Sequence, residues 1–162
     1  MSDNKPIWLL DVDGVLNAFH DSGPVLGDWG DWQTFTSNGF PIRYSPAMTA
    51  HIRGLHERGT VEVRWLTTWG AMANTHLKEF GLPEFEVAAE APFRERDGWW
   101  KLPVAQALFD QGHAIIWTDD AMKWMNDVAN SDRSGDLYAF APQGAISQQE
   151  MDDILIWAVN RG

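Results

Sequence analysis

Asp11 and Asp13 stand two residues apart, directly after the apolar run Ile7-Trp8-Leu9-Leu10, and Gly14 follows at once. Carboxylates this close repel each other, so their site needs a divalent cation or a shared proton. The pattern does not fit an EF-hand calcium loop. That loop requires Asp or Asn at its fifth position and Gly at its sixth, where this chain has Val15 and Leu16. Two further apolar runs also end in residues able to do chemistry. Val61–Leu66 runs into Thr67-Thr68-Trp69-Gly70, and His113–Trp117 runs into Thr118-Asp119-Asp120.

The elements that position these residues follow from the periodicity. Ile7–Leu10, Val61–Leu66, His113–Trp117 and Leu137–Phe140 read as buried strands, and Phe85–Ala89 as a shorter one. Ser45-Pro46 is an N-cap followed by a first-turn proline, so a helix is expected over Pro46–Arg58, stopped by Gly59. Further helices are expected over about Ala71–Phe80, Trp99–Gln111 and Ala121–Val128. The S-x-x-E sequence Ser147–Glu150 is a capping box that opens a last amphipathic helix through Val159. Asn17–Tyr44 has no helical period and reads as an irregular or hairpin insertion. Alternating strands and helices predict an α/β domain with a mainly parallel sheet and helices on both faces. In such sheets ligands bind beyond the carboxyl ends of the strands. Asp11/Asp13, Thr67/Thr68 and Asp119/Asp120 therefore converge on one rim.

Composition narrows the function classes. The 162 residues are expected to form a single domain over 1–162. Net charge is −11, which argues against broad binding to nucleic acid because that mode needs a basic surface. No cysteine is present, which excludes disulfides, thiolate catalysis and Cys-based zinc sites. No apolar run reaches a membrane span and Met1–Pro6 lacks a signal-peptide core, so no membrane partner and a cytoplasmic location are expected. The histidines, His20, His51, His56, His76 and His113, show no metal-ligand spacing. Of the ten tryptophans, Trp8, Trp65 and Trp117 lie in apolar runs. Trp29, Trp32, Trp69, Trp99 and Trp100 either pack loops or line a pocket.

With these motifs in order, the chain resembles the haloacid dehalogenase (HAD) superfamily of aspartate-nucleophile phosphohydrolases. Asp11-Val12-Asp13-Gly14-Val15 matches the first motif, Leu66-Thr67 the second, Lys101 the third and Asp119-Asp120 the fourth. Trp65–Trp69 and Pro142-Gln143-Gly144 are similar to the small HAD domains of phage proteins and of "Swiss Army Knife" RNA-repair proteins. The resemblance implies a Rossmann-like three-layer sandwich with a minimal cap, since the insertion at Asn17–Tyr44 is too short for a large helical one.

The resemblance also implies roles. Asp11 is the expected nucleophile and Asp13 the acid/base. Gly14 allows the sharp turn past the phosphate. Thr67 binds a phosphoryl oxygen, with Thr68 the alternative or a helix N-cap. Lys101 offsets the charge, with Lys78, Arg94 and Arg96 as alternatives. Asp11, Asp13 (through its carbonyl), Asp119 and Asp120 are the expected Mg²⁺ ligands, and which of the last pair ligates directly stays open. Arg94 and Arg96, with Arg43, can form a local funnel for phosphate, and Trp69 either stacks a base or packs the sheet edge. Asn17 is a substrate or loop contact. The expected activity is a Mg²⁺-dependent phosphomonoesterase acting on nucleotide or nucleic-acid-end phosphates. The alternative is a catalytically idle binding protein that keeps the pocket for a nucleotide or partner.

Overall fold

The computed structural model describes residues 4–18, 28–37, 39–93, 98–124 and 135–161. At its centre lies strand β1 (Ile7–Leu10), buried on both faces. Its four apolar residues alternate between two cores: Trp8 and Leu10 enter one, Ile7 and Leu9 the other. A strand apolar at every position is stable only when both faces are covered, as in a parallel sheet.

After β1 come a hairpin of β2 (Gln33–Ser37) and β3 (Phe40–Tyr44), helix α1 (Pro46–Glu57), β4 (Glu62–Trp65) and α2 (Met72–His76). A 3₁₀ turn (Lys78–Phe80), β5 (Glu86–Val87), α3 (Lys101–Asp110) and β6 (Ile115–Thr118) follow. A second 3₁₀ turn (Asp120–Trp124), β7 (Leu137–Phe140) and α4 (Gln148–Val159) complete the described elements. The main sheet is five-stranded and parallel, in the order β5-β4-β1-β6-β7. This is the α/β parallel-sheet class that the alternation of runs predicts, compatible with a Rossmann-like fold.

Helices cover both faces. Met48, Ile52 and Leu55 of α1 and Met151, Ile154 and Ala158 of α4 pack on the face that carries Trp8, Leu10 and Trp65. Ala105 of α3 packs on the other, with Ile115 and Trp117. Burying a large apolar side chain contributes roughly 1.5–3 kcal/mol. The core tryptophans also satisfy their polar edge: Trp8 Nε1 donates to Thr118 Oγ1 at 2.9 Å and Trp65 Nε1 to Asn74 Oδ1 at 2.7 Å.

The helix starts follow the caps. Ser45 Oγ accepts from Met48 N at 3.1 Å, and the Ser147/Glu150 capping box is formed. Asp31 adds a contact that the sequence did not announce. It accepts from Ser45 Oγ and from Ala47 N, pinning the loop before the hairpin to the start of α1.

The helix expected over Ala71–Phe80 is instead a short helix and a 3₁₀ turn. Tertiary packing tightens the second part: Phe80 stacks on Tyr44 with centroids 3.9 Å apart, and its carbonyl accepts from Thr49 Oγ1. Thr68 caps no helix, because α2 begins one turn later with Ala71 at its N-cap. Helix α3 begins at Lys101, two residues after the expected start. Of the helix expected over Ala121–Val128, residues 121–124 belong to the second 3₁₀ turn, and the remainder lies outside the described residues. No helix among the described residues is long and apolar enough to cross a membrane.

Candidate active site

Register brings the motifs together. Leu10 pairs with both Trp65 and Thr118, so Asp11, Thr67 and Asp119 all emerge just past the carboxyl ends of neighbouring strands. The backbone continues the ladder one step further, with Leu66 N donating to Leu10 O at 3.0 Å and Asp11 N to Thr118 O at 3.2 Å.

Lys101 reaches this rim from the first residue of α3. Helical side chains lean toward the helix N-terminus, and in a parallel sheet the following helix starts at the strands' carboxyl end. Its ammonium, nearly fully buried, lies 3.4 Å from Asp11 Oδ1 and 2.5 Å from Asp119 Oδ2. Lys78, an alternative cation in the sequence, belongs to the 3₁₀ turn beside α2, while Arg94 and Arg96 lie outside the described residues.

Asp11 Oδ1 also accepts from Val12 N at 2.8 Å, and the Thr67 hydroxyl stands beside the same carboxylate and favours its charged form. Burial pushes the Asp11 carboxyl up to about 7; Lys101 opposes this and the Asp119 charge adds to it. Of the two threonines, Thr67 is buried against Asp11, whereas Thr68 is exposed and lines a neighbouring pocket.

The turn after Asp11 is built on Val12, whose carbonyl accepts from Val15, Leu16 and Asn17 N–H groups. Gly14 has φ +76°, and a Cβ there would stand 2.7 Å from Asp120 Cβ. The glycine is thus needed for its conformation and for the approach of Asp120. Asp13 is held away from the Lys101 cluster's hydrogen bonds. Its Oδ1 accepts from Asn17 Nδ2 at 2.9 Å and its Oδ2 from Trp69 Nε1 at 3.0 Å. Asn17 is a loop contact: its Oδ1 accepts from Arg43 N at 2.8 Å, tying the turn to β3.

Asp11, Asp119 and Asp120 each offer a carboxylate oxygen, all within 4.8 Å of one another. Lys101 pairs with Asp11 and Asp119, and three carboxylates gathered this closely suit a divalent cation. The all-oxygen donor set fits a hard cation such as Mg²⁺. Asp119 already accepts from Lys101 and, through Oδ1, from Ala121 N at 2.9 Å. Were a cation held here, Asp119 would reach it through its remaining lone pairs or a bridging water.

Of the loop tryptophans, Trp69 lines the pocket beside Asp13. Trp29 is buried with its indole N–H on Ile146 O, and Trp99 stacks on Trp117 at 4.9 Å. Sequence reasoning missed Phe40, Pro41, Met72 and His76, which complete that pocket. They come from the hairpin and α2, and no local motif marks them. In comparisons with protein-family models, curated proteins and solved structures, nothing matches this chain.

Proposed function

We propose that this chain is a Mg²⁺-dependent phosphomonoesterase of the HAD type that works through an aspartyl-phosphate. The observation that supports this most is the buried Lys101 ammonium between Asp11 and Asp119, with the Thr67 hydroxyl on Asp11. A buried carboxylate flanked by a cation and a hydroxyl can present an oxygen to phosphorus while its neighbours hold the phosphoryl oxygens.

In the first step an Asp11 carboxylate oxygen attacks phosphorus and the ester P–O bond breaks. Asp13 gives its proton to the leaving oxygen. In the second, Asp13 takes a proton from a water that attacks the same phosphorus. The bond from phosphorus to Asp11 breaks, inorganic phosphate leaves and the free carboxylate returns. Lys101 and Thr67 stabilise the charge on the equatorial oxygens throughout. Asp11, Asp119 and Asp120, with the Asp13 carbonyl, would hold Mg²⁺, which when bound screens the attacking carboxylate from the phosphate. Asp13 suits its role because, among the described residues, each of its oxygens accepts one hydrogen bond, which leaves a site on either for the proton it passes. The proposed substrates are phosphomonoesters, with nucleotide or nucleic-acid-end phosphates in that class.

The test is hydrolysis of an aryl phosphate with and without Mg²⁺. Activity lost on chelation, and reduced at least about 10³-fold by Asp11→Asn, is expected. Full activity in Asp11→Asn would overturn the assignment of the nucleophile. Phosphate-ester binding without turnover by the native chain would favour the idle-binder reading.

A further inference from the structure

We infer that the pocket beside Asp13 is a subsite for a planar aromatic ring on the leaving group of the substrate. The inference rests on the proposed role of Asp13, which is one wall of this pocket and whose carboxylate bonds two neighbours in the lining, Asn17 and Trp69. An ester oxygen that takes its proton from Asp13 must sit against that wall. The rest of the leaving alcohol then extends into the adjoining space.

The space is about 370 Å³, within the range of small-molecule sites. Its walls are chiefly Phe40, Pro41, Trp69 and Met72. Phe40 and Met72 are 59% and 57% exposed, far more than the side chains of either core, so two large apolar groups stand open to solvent beside the site. The Phe40 and Trp69 rings lie 6.1 Å apart, tilted by 50°. A flat ring stacked on one of them lies tilted by about 50° to the other, so both can contact it. The thioether of Met72 adds an adaptable third wall.

Two of the polar side chains in the lining are already engaged. Both amide atoms of Asn17 are used, on Asp13 and on Arg43 N. His76 Nδ1 pairs with Ser37 Oγ at 2.8 Å. The lining therefore offers a leaving group more apolar contact than hydrogen bonds. Trp69 also ties the pocket to the chemistry. Its ring makes an edge-to-face pair with His76, centroids 5.8 Å apart, and its indole N–H holds Asp13 Oδ2. A ring seated on Trp69 therefore rests on the residue that positions the acid.

Three phosphonates with Mg²⁺ test this by calorimetry: benzylphosphonate, its saturated counterpart cyclohexylmethylphosphonate, and methylphosphonate. Benzylphosphonate is expected to bind about tenfold tighter than methylphosphonate and about threefold tighter than the saturated compound. Phe40→Ala and Met72→Ala are each expected to weaken benzylphosphonate about fivefold. Both side chains are largely exposed, so the fold should persist, and circular dichroism checks this. Equal affinity for the three compounds overturns the inference, as does unchanged benzylphosphonate binding in Phe40→Ala. A concentration-dependent dimer abolished by Phe40→Ala, with no ring preference, assigns the surface to a second copy and also overturns it.

Hydrolysis of benzyl phosphate against methyl phosphate runs in parallel. A ring preference in binding without any hydrolysis keeps the aromatic site and removes the phosphatase reading. Hydrolysis without a ring preference does the reverse.

Discussion

At the residue scale, Lys101 decides whether the rim is stable. Its ammonium is the counter-charge to two buried carboxylates, Asp11 and Asp119. Removing one partner of a buried ion pair leaves uncompensated charge, which is far worse than never having built the pair. Lys101→Met is expected to cost on the order of 3 kcal/mol in metal-free buffer, read by denaturant unfolding. Added Mg²⁺ should restore part of that loss, because a dication supplies the missing charge. Gly14 is the second sensitive residue. Gly14→Ala would force a side chain into a left-handed conformation and against Asp120. A loss of about 1–2 kcal/mol is expected, with weaker Mg²⁺ binding by titration calorimetry, since Asp120 must shift.

At the element scale, the strands explain themselves and the last turn of α1 carries a titrating group. His56, in the last turn of α1, accepts the Val63 N–H on its Nδ1 at 3.1 Å. Burial, with Lys5 nearby, holds its pKa below the ordinary histidine value of 6.5. The folded state thus prefers the neutral ring. That contribution to stability is present above pH 6.5 and is lost as pH falls through the lowered folded value. Titration by NMR should place the His56 midpoint below 6.5. His56→Phe should flatten the fall in Tm between pH 6.5 and 5. Most elements were legible because their signals are local. Ile7–Leu10 and Leu137–Phe140 are short apolar runs, and Ser45-Pro46 and Ser147–Glu150 are caps that act within one turn. The break after His76 was not legible, because its cause is the stacking of Phe80 on Tyr44, which lies 36 residues earlier in the chain.

At the scale of the whole molecule, the proposed cation site would link binding to folding through the sheet's carboxyl rim. A cation held by Asp11, Asp119 and Asp120 would bind only when β1 and β6 are adjacent, and would so stabilise the fold by mass action. At one hundred times its dissociation constant Mg²⁺ is expected to add about 2.7 kcal/mol, roughly 5–10 °C in Tm by calorimetry. Asp120→Asn should reduce that shift by at least about half. The sequence by itself determined which three central strands run into Asp or Thr, because an apolar run ending in such residues is a one-dimensional pattern. It therefore determined that Asp11/Asp13, Thr67/Thr68 and Asp119/Asp120 share a rim once the strands lie parallel. Only the tertiary structure decided the strand order, the choice of Thr67 over Thr68 as the neighbour of Asp11, and the reach of Lys101 between two carboxylates. It alone joined Phe40 of the hairpin to Trp69 and Met72 beside Asp13. The physical reason is range: caps and periodicity act over a few residues, whereas a pocket or a buried charge cluster exists only after distant segments have packed.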